Sequence, residues 1–239
     1  MNIKTKIEFI TDENSHWYKS LRKKDVYYPS VTTILSVFPK NVGFNKYLTA
    51  QVSWESSQEI LKAAGRRGQN VHRGTERLEE GETLYRENFT LEEWMMLIGF
   101  VTWWKEYQPK LIKKEYSVVS DKLKTGGTID RIYEIRGQNV LLDIKTSSSI
   151  YENYWIQTAA YVKLLGKKDP KIDLTAILRL APRKKCGYEY CVRDQEQFEE
   201  DYKIFEATKK TWDYLNPDAK PKLLEVPATL CLKNTNQKN

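Results

Sequence analysis

The stretch Gly126–Tyr161 reads GGTIDRIYEIRGQNVLLDIKTSSSIYENYWIQTAAY. It parses as two apolar strands, each carrying an aspartate, followed by a helix that carries Gln157 and Tyr161. The first strand runs from Thr128 to Ile135 and contains Asp130 beside Ile129 and Ile132. The second reads Val140-Leu141-Leu142-Asp143-Ile144-Lys145. Side chains alternate faces along a strand, so Leu141, Asp143 and Lys145 share one face and Leu142 and Ile144 the other. Arg136-Gly137-Gln138-Asn139 reads as a hairpin connection, which makes the two strands neighbours and lets Asp130 and Asp143 converge near one end.

An acid and a lysine at the end of an apolar strand are expensive to place, because charged groups are seldom buried unless paired or bound to a metal. Two convergent carboxylates suit a hard divalent cation. A lysine beside them suits the orientation of a water and the stabilisation of charge on a phosphate. An isolated Asp-x-Lys is more commonly an ion pair on a solvated sheet face. The apolar run, the second aspartate and the Gln-x-x-x-Tyr helix together make this pattern more specific.

Gly127-Thr128-Ile129-Asp130, Asp143-Ile144-Lys145-Thr146 and Gln157-Thr158-Ala159-Ala160-Tyr161 resemble the PD-(D/E)xK nuclease superfamily. The Gln-x-x-x-Tyr tail is similar to its RecB-like exonuclease branch. Gly68-Gln69-Asn70-Val71-His72 resembles the upstream histidine helix of that branch, and Tyr28-Pro29-Ser30-Val31-Thr32-Thr33-Ile34-Leu35 is similar to an N-terminal motif of phage exonucleases and the mitochondrial single-strand DNA exonuclease. The resemblance covers about residues 28–180. It departs from many relatives in having Asp143 where they have Glu, which keeps the ligand chemistry with a shorter reach.

The resemblance implies an α/β fold: a central mixed β-sheet flanked by helices, with an N-terminal β/helical extension. It implies a Mg2+- or Mn2+-dependent deoxyribonuclease acting from strand ends, on single strands or duplex ends. Asp130 and Asp143 are then metal ligands, joined by His72 and the Ile144 carbonyl, and more weakly by Glu115 on the preceding strand. Lys145 is the water-orienting and charge-stabilising cation, and Gln157 and Tyr161 support the substrate or a ligand water. Two alternatives stay open: a structure-specific endonuclease of the same superfamily, and a nucleic-acid-binding module with an inactive nuclease fold.

The chain has 239 residues and a net charge of +7, with 40% hydrophobic residues and seven tryptophans. That length is enough for one large domain or two small ones, and the expectation is one: an extension over 1–62, a core over 63–215 and an irregular tail over 216–239. The basic balance favours a polyanionic partner weakly. No apolar run reaches the roughly 20 residues of a membrane helix. Met1–Lys6 lacks a signal-peptide core, so the expected location is cytoplasmic or nucleoid-associated, including the cytoplasm of a phage-infected host. Cys186, Cys191 and Cys231 have neither disulfide nor zinc spacing, and no iron–sulfur cluster is expected. No Walker loop is present, so any unwinding comes from a helicase or recombination partner on another chain.

Along the chain, residues 2–28 suggest two or three short strands with a basic turn at Leu21–Lys24. Ser30 reads as the N-cap of a helix over Val31–Val37, and Ser30, Thr32 and Thr33 at its start form a candidate phosphate contact. Residues 44–62 and 63–80 read as two helices, with Gly65-Arg66-Arg67-Gly68 interrupting or opening the second. Arg66 and Arg67, flanked by glycines, are candidates for close approach to a nucleic-acid backbone, or a plain surface turn. Glu76 shares a helix face with His72. Leu91–Tyr107 is an amphipathic helix ended by Pro109. Leu111–Val119 is a strand, 150–165 a helix, 174–180 and 188–192 strands, and 194–215 a charged amphipathic helix.

Overall fold

The structure is a computed structural model that describes residues 7–12, 15–39, 43, 46, 49–166 and 170–222. Strands β1 (Phe9–Thr11), β2 (His16–Lys19) and β3 (Tyr27–Pro29) form a three-stranded antiparallel sheet. Helix α1 (Val31–Ile34) follows and tightens into a 3-10 turn at Leu35–Val37. Ser30 Oγ accepts from the Thr33 amide at 2.9 Å, so the expected N-cap is in place. Ser30 and Thr33 are buried, and their hydroxyls bond each other, Thr32 and the His16 backbone. The cluster pins α1 to the small sheet.

The small sheet sits on the start of the main one. Ser30 bridges Gly126, Thr125 Oγ1 donates to the Pro29 carbonyl at 2.7 Å, and the Tyr18 hydroxyl lies 2.9 Å from Thr128 Oγ1. A Cβ at Gly126 would fall 2.5 Å from Tyr18 Cγ, so only glycine admits that ring.

Helix α2 is one continuous helix of 26 residues, Trp54–Glu79, capped by Ser53. The interruption expected at Gly65–Gly68 is absent, and Arg66 and Arg67 lie inside the helix. Residues 44, 45, 47 and 48 of the first expected helix lie outside the described residues. Helix α3 (Leu91–Tyr107) has a capping box between Thr90 and Glu93 and ends at Gln108 in the left-handed conformation. Glu93 is buried and also accepts from Asn70 Nδ2 at 2.9 Å, joining the start of α3 to α2.

The main sheet has five strands in the order β4 (Lys110–Ser120), β5 (Thr125–Ile135), β6 (Gln138–Lys145), β7 (Leu174–Leu180) and β8 (Tyr188–Arg193). β6 and β7 are parallel and every other pair is antiparallel. The turn between β5 and β6 is tighter than expected: Gln138 and Asn139 are in the strand. Arg136 (φ 51°) and Gly137 (φ 79°) alone make the hairpin, both left-handed as such a two-residue turn requires. The parallel step from β6 to β7 is crossed by α4 (Glu152–Leu165), and α5 (Gln195–Leu215) closes the chain.

β6 is buried on both faces, which explains its nearly unbroken apolar run. Leu141 packs with Ile129, Ile132, Ile156, Leu164 and Phe205 beneath α1, α4 and α5. Val140, Leu142 and Ile144 pack with Val71, Phe100 and Trp103 of α2 and α3. The fold is therefore α/β, a mixed sheet between two helical layers. No helix among the described residues is long and apolar enough to cross a membrane. Cys186 and Cys191 are free thiols, and Cys231 lies outside the described residues.

Candidate metal centre

α2 passes over the C-terminal end of β6 and lowers His72 onto it. His72 Nε2 lies 3.0 Å from the Ile144 carbonyl, and Nδ1 lies 3.7 Å from Asp130 Oδ2. The same Asp130 oxygen accepts from the Ile144 amide at 3.0 Å. Glu115 comes from β4, where Lys114 faces Arg131 and Tyr116 faces Ile129, so Glu115 sits across from Asp130. One ligand atom each from His72, Glu115 and Asp130 fall within 4.8 Å of one another.

The donor set fits a divalent cation. Two carboxylates, a carbonyl and an imidazole suit Mg2+ or Mn2+. His72 Nε2 and the Ile144 carbonyl oxygen are 3.0 Å apart, an ordinary hydrogen-bond distance. Without a cation the contact is a hydrogen bond in which Nε2 donates, because a carbonyl has no proton to give.

Asp143 lies beside this group with its oxygens turned elsewhere. It is fully buried, Oδ1 accepts from Gln157 Nε2 at 3.1 Å, and Oδ2 lies 2.5 Å from Lys145 Nζ. Burial pushes the Asp143 carboxyl up to about 6, against the pull of Lys145 and with the help of Asp130. Burial works against the Lys145 ammonium, but Asp143 and Asp130 outweigh it and hold its pKa above the usual lysine range. Glu115 is also raised, by burial first and then by Asp130, with Arg131 opposing.

Gln157 works as a buried brace. Its Nε2 donates to Asp143 and also to the Tyr161 hydroxyl at 3.0 Å, and its Oε1 accepts from Lys145 Nζ at 3.3 Å. Tyr161 is buried beneath Gly127, whose missing Cβ makes room for the ring. Gln157 and Tyr161 therefore fix the Asp143–Lys145 pair from behind.

A cleft of about 250 Å³ opens in front, lined by Ala64, Arg67, His72, Ile144, Lys145, Thr146, Ser147 and Tyr154. The Tyr154 ring lies 4.6 Å from Lys145 Nζ. Arg67 is in the cleft wall and pairs with Glu92 at 3.0 Å, whereas Arg66 is exposed on the helix. Ser30, Thr32 and Thr33 are not among the cleft residues.

Sequence reasoning missed Arg131 and Glu79. Both side chains are fully buried and paired at 2.8 Å. Arg131 had a signal, an arginine inside an apolar strand next to Asp130. Glu79 lies seven positions after His72, two helical turns along the same face.

The fold and these residues define an α/β protein with a candidate divalent-cation centre at one end of its mixed sheet. No protein-family model and no curated protein matches the chain.

Proposed function

We propose that this protein is a divalent-metal-dependent deoxyribonuclease that hydrolyses phosphodiester bonds, working from strand ends. The observation that carries the reading is that His72, Glu115 and Asp130 gather ligand atoms within 4.8 Å of one another beside the Asp143–Lys145 pair braced by Gln157, with His72, Ile144 and Lys145 opening onto one cleft. His72, Glu115, Asp130 and the Ile144 carbonyl would hold the cation, with Asp143 the adjoining carboxylate. When bound, Mg2+ or Mn2+ supplies positive charge against the phosphate and lowers the pKa of a nearby water.

The chain's own groups do the rest. Lys145 is held protonated by Asp143 and Asp130, so its ammonium can donate to a water or a phosphate oxygen as negative charge develops there. Gln157 keeps it in place. Arg67 offers a guanidinium on the cleft wall for a flanking phosphate. The net charge of +7 supports a polyanionic substrate. The choice of DNA and of strand ends rests on the resemblance of the Asp130, Asp143–Lys145 and Gln157–Tyr161 motifs to RecB-like exonucleases.

The test is digestion of end-labelled single- and double-stranded DNA with Mg2+, with Mn2+ and with chelator, alongside a closed single-stranded circle. The expected result is metal-dependent loss of the linear strands and survival of the circle. Equal loss of circle and line points to the endonuclease, and no cleavage under any metal removes the nuclease reading.

A further inference from the structure

We propose that Arg131 is a positioning residue that holds Glu115 against the candidate cation site while Glu79 neutralises its charge; this rests on the metal-dependent reading above. Neither Arg131 nor Glu79 has any exposed side-chain surface. Arg131 Nε donates to both Glu79 oxygens, at 2.9 and 2.8 Å. The Tyr133 hydroxyl donates to Glu79 Oε1 as well. On the other edge of the guanidinium, Nη1 donates to Glu115 Oε1 at 3.0 Å and to the Asp130 carbonyl at 2.7 Å. Nη2 is 3.4 Å from Thr75 Oγ1. A single side chain thus ties α2, β4 and β5 together, and these are the elements that carry His72, Glu115 and Asp130.

Stability is a weak reason for such a group. A buried ion pair is often replaced by apolar residues without loss, because desolvating both charges offsets their attraction. Position gives a stronger reason. Glu115 has φ 43°, a left-handed backbone that residues other than glycine seldom adopt. Its side chain is 43% exposed, and the like charge of Asp130 acts on it. Unrestrained, it would swing into solvent. Arg131 supplies the opposing charge and a planar fork that reaches two carboxylates at once, which a lysine ammonium on its flexible stem does not reproduce.

Glu79 completes the arrangement. An unpaired guanidinium this close would repel a cation. Paired with Glu79 it is neutral, and the charges of Glu115 and Asp130 remain for the ion. Partners behind metal ligands of this kind typically change metal affinity by about 10–100-fold when removed.

The test is calorimetric titration of Mn2+ alone into the full chain, arranged as a double-mutant cycle. The first arm is Arg131→Met/Glu79→Gln, which removes both charges and leaves an acceptor for Tyr133. The second is Glu115→Gln, and the third combines all three changes. The expected result is about 10–100-fold weaker Mn2+ binding in each of the first two arms. The combination is expected to be no weaker than the weaker of them, because Arg131 acts through Glu115. Losses that multiply in the combined variant overturn the proposal. Should Arg131→Met/Glu79→Gln fail to fold, Arg131→Lys keeps the charge and loses the fork; wild-type Mn2+ affinity in that variant overturns the proposal, and a comparable loss supports it. A wild-type chain that binds no Mn2+ defeats the metal reading itself, whereas wild-type binding with multiplying losses defeats only the role of Arg131.

Discussion

Lys145 is where a structural and a chemical role are hardest to separate, because its ammonium lies 2.5 Å from a fully buried carboxylate. If it stabilises charge that develops on a phosphate, its loss lowers turnover with little change in ground-state binding. Lys145→Ala is therefore expected to keep DNA and Mn2+ affinity within a few-fold and to reduce cleavage about 100-fold or more. Circular dichroism to confirm folding, followed by binding and cleavage assays, checks this; near-normal cleavage by folded protein sinks the assignment. A second residue prediction concerns Gly127. A methyl group there would run into the Tyr161 ring, and Tyr161 backs Gln157. Gly127→Ala is expected to destabilise by about 1–3 kcal/mol through overpacking, read as a lower denaturant midpoint. Asp130, Asp143, Lys145 and Gln157 were legible as a cluster because a charge in an apolar strand is conspicuous. Glu115 was reached only through the resemblance and as the weakest of the ligands. Its nearness to Asp130 depends on a left-handed backbone and on Arg131, and neither is a property of the sequence around Lys113–Tyr116.

At the scale of elements, the extents of α3, the two strands of the β5–β6 hairpin, α4 and α5 were legible, but the buried face of α3 was not: its spacing points to Leu91, Met95 and Ile98, which are exposed, whereas Met96, Leu97, Phe100 and Trp103 are buried. α2 was read as two helices because Gly65 and Gly68 resemble breakers. Each glycine inside a helix costs about 1 kcal/mol relative to alanine, but the packing of α2 on α3 and its contact with the end of β6 outweigh that. The glycines of α2 divide by what surrounds them. Nothing lies within 4 Å of a Cβ at Gly65, whereas a Cβ at Gly74 would fall 2.7 Å from Leu97 Cδ2. Gly65→Ala is expected to stabilise by about 0.5–1 kcal/mol, and Gly74→Ala to destabilise because the buried Leu97 side chain must shift from its packed position. Thermal melts of the two variants check the contrast; equal shifts would mean that α2 does not pack on α3 as described. The 3-10 ending of α1 and the parallel β6–β7 pairing were beyond local pattern, because both are set by what the chain packs against.

For the whole molecule, the carboxylates behind the cleft make stability depend on pH and metal together. The folded Asp143 pKa is about 6, raised first by burial, against about 3.9 in an unfolded chain. A raised carboxyl binds its proton more tightly in the folded state, so its stabilising contribution is complete below the unfolded pKa and is lost as pH rises through about 6. That difference corresponds to about 3 kcal/mol at most, and the partner charge of Lys145 reduces what is observed. Glu115 is raised too and acts in the same direction. Asp143 and Asp130 outweigh burial and hold the Lys145 ammonium above the ordinary lysine range, so its own linkage lies on the alkaline side of this window. In chelator, the melting temperature is therefore expected to carry a component that declines between about pH 4 and pH 7. A cation requires ionised ligands, so binding releases protons and strengthens as pH rises. Its stabilisation follows RT ln(1 + [L]/Kd), about 2.7 kcal/mol at a hundred times Kd. The gap between melts with saturating Mn2+ and melts in chelator is expected to widen from pH 5 to pH 7.5, and Asp143→Asn to flatten the chelator series. Differential scanning fluorimetry over that range checks both. Parallel curves with and without Mn2+ would mean that no cation engages these carboxylates, because binding to any ionised ligand with a raised pKa must change the slope.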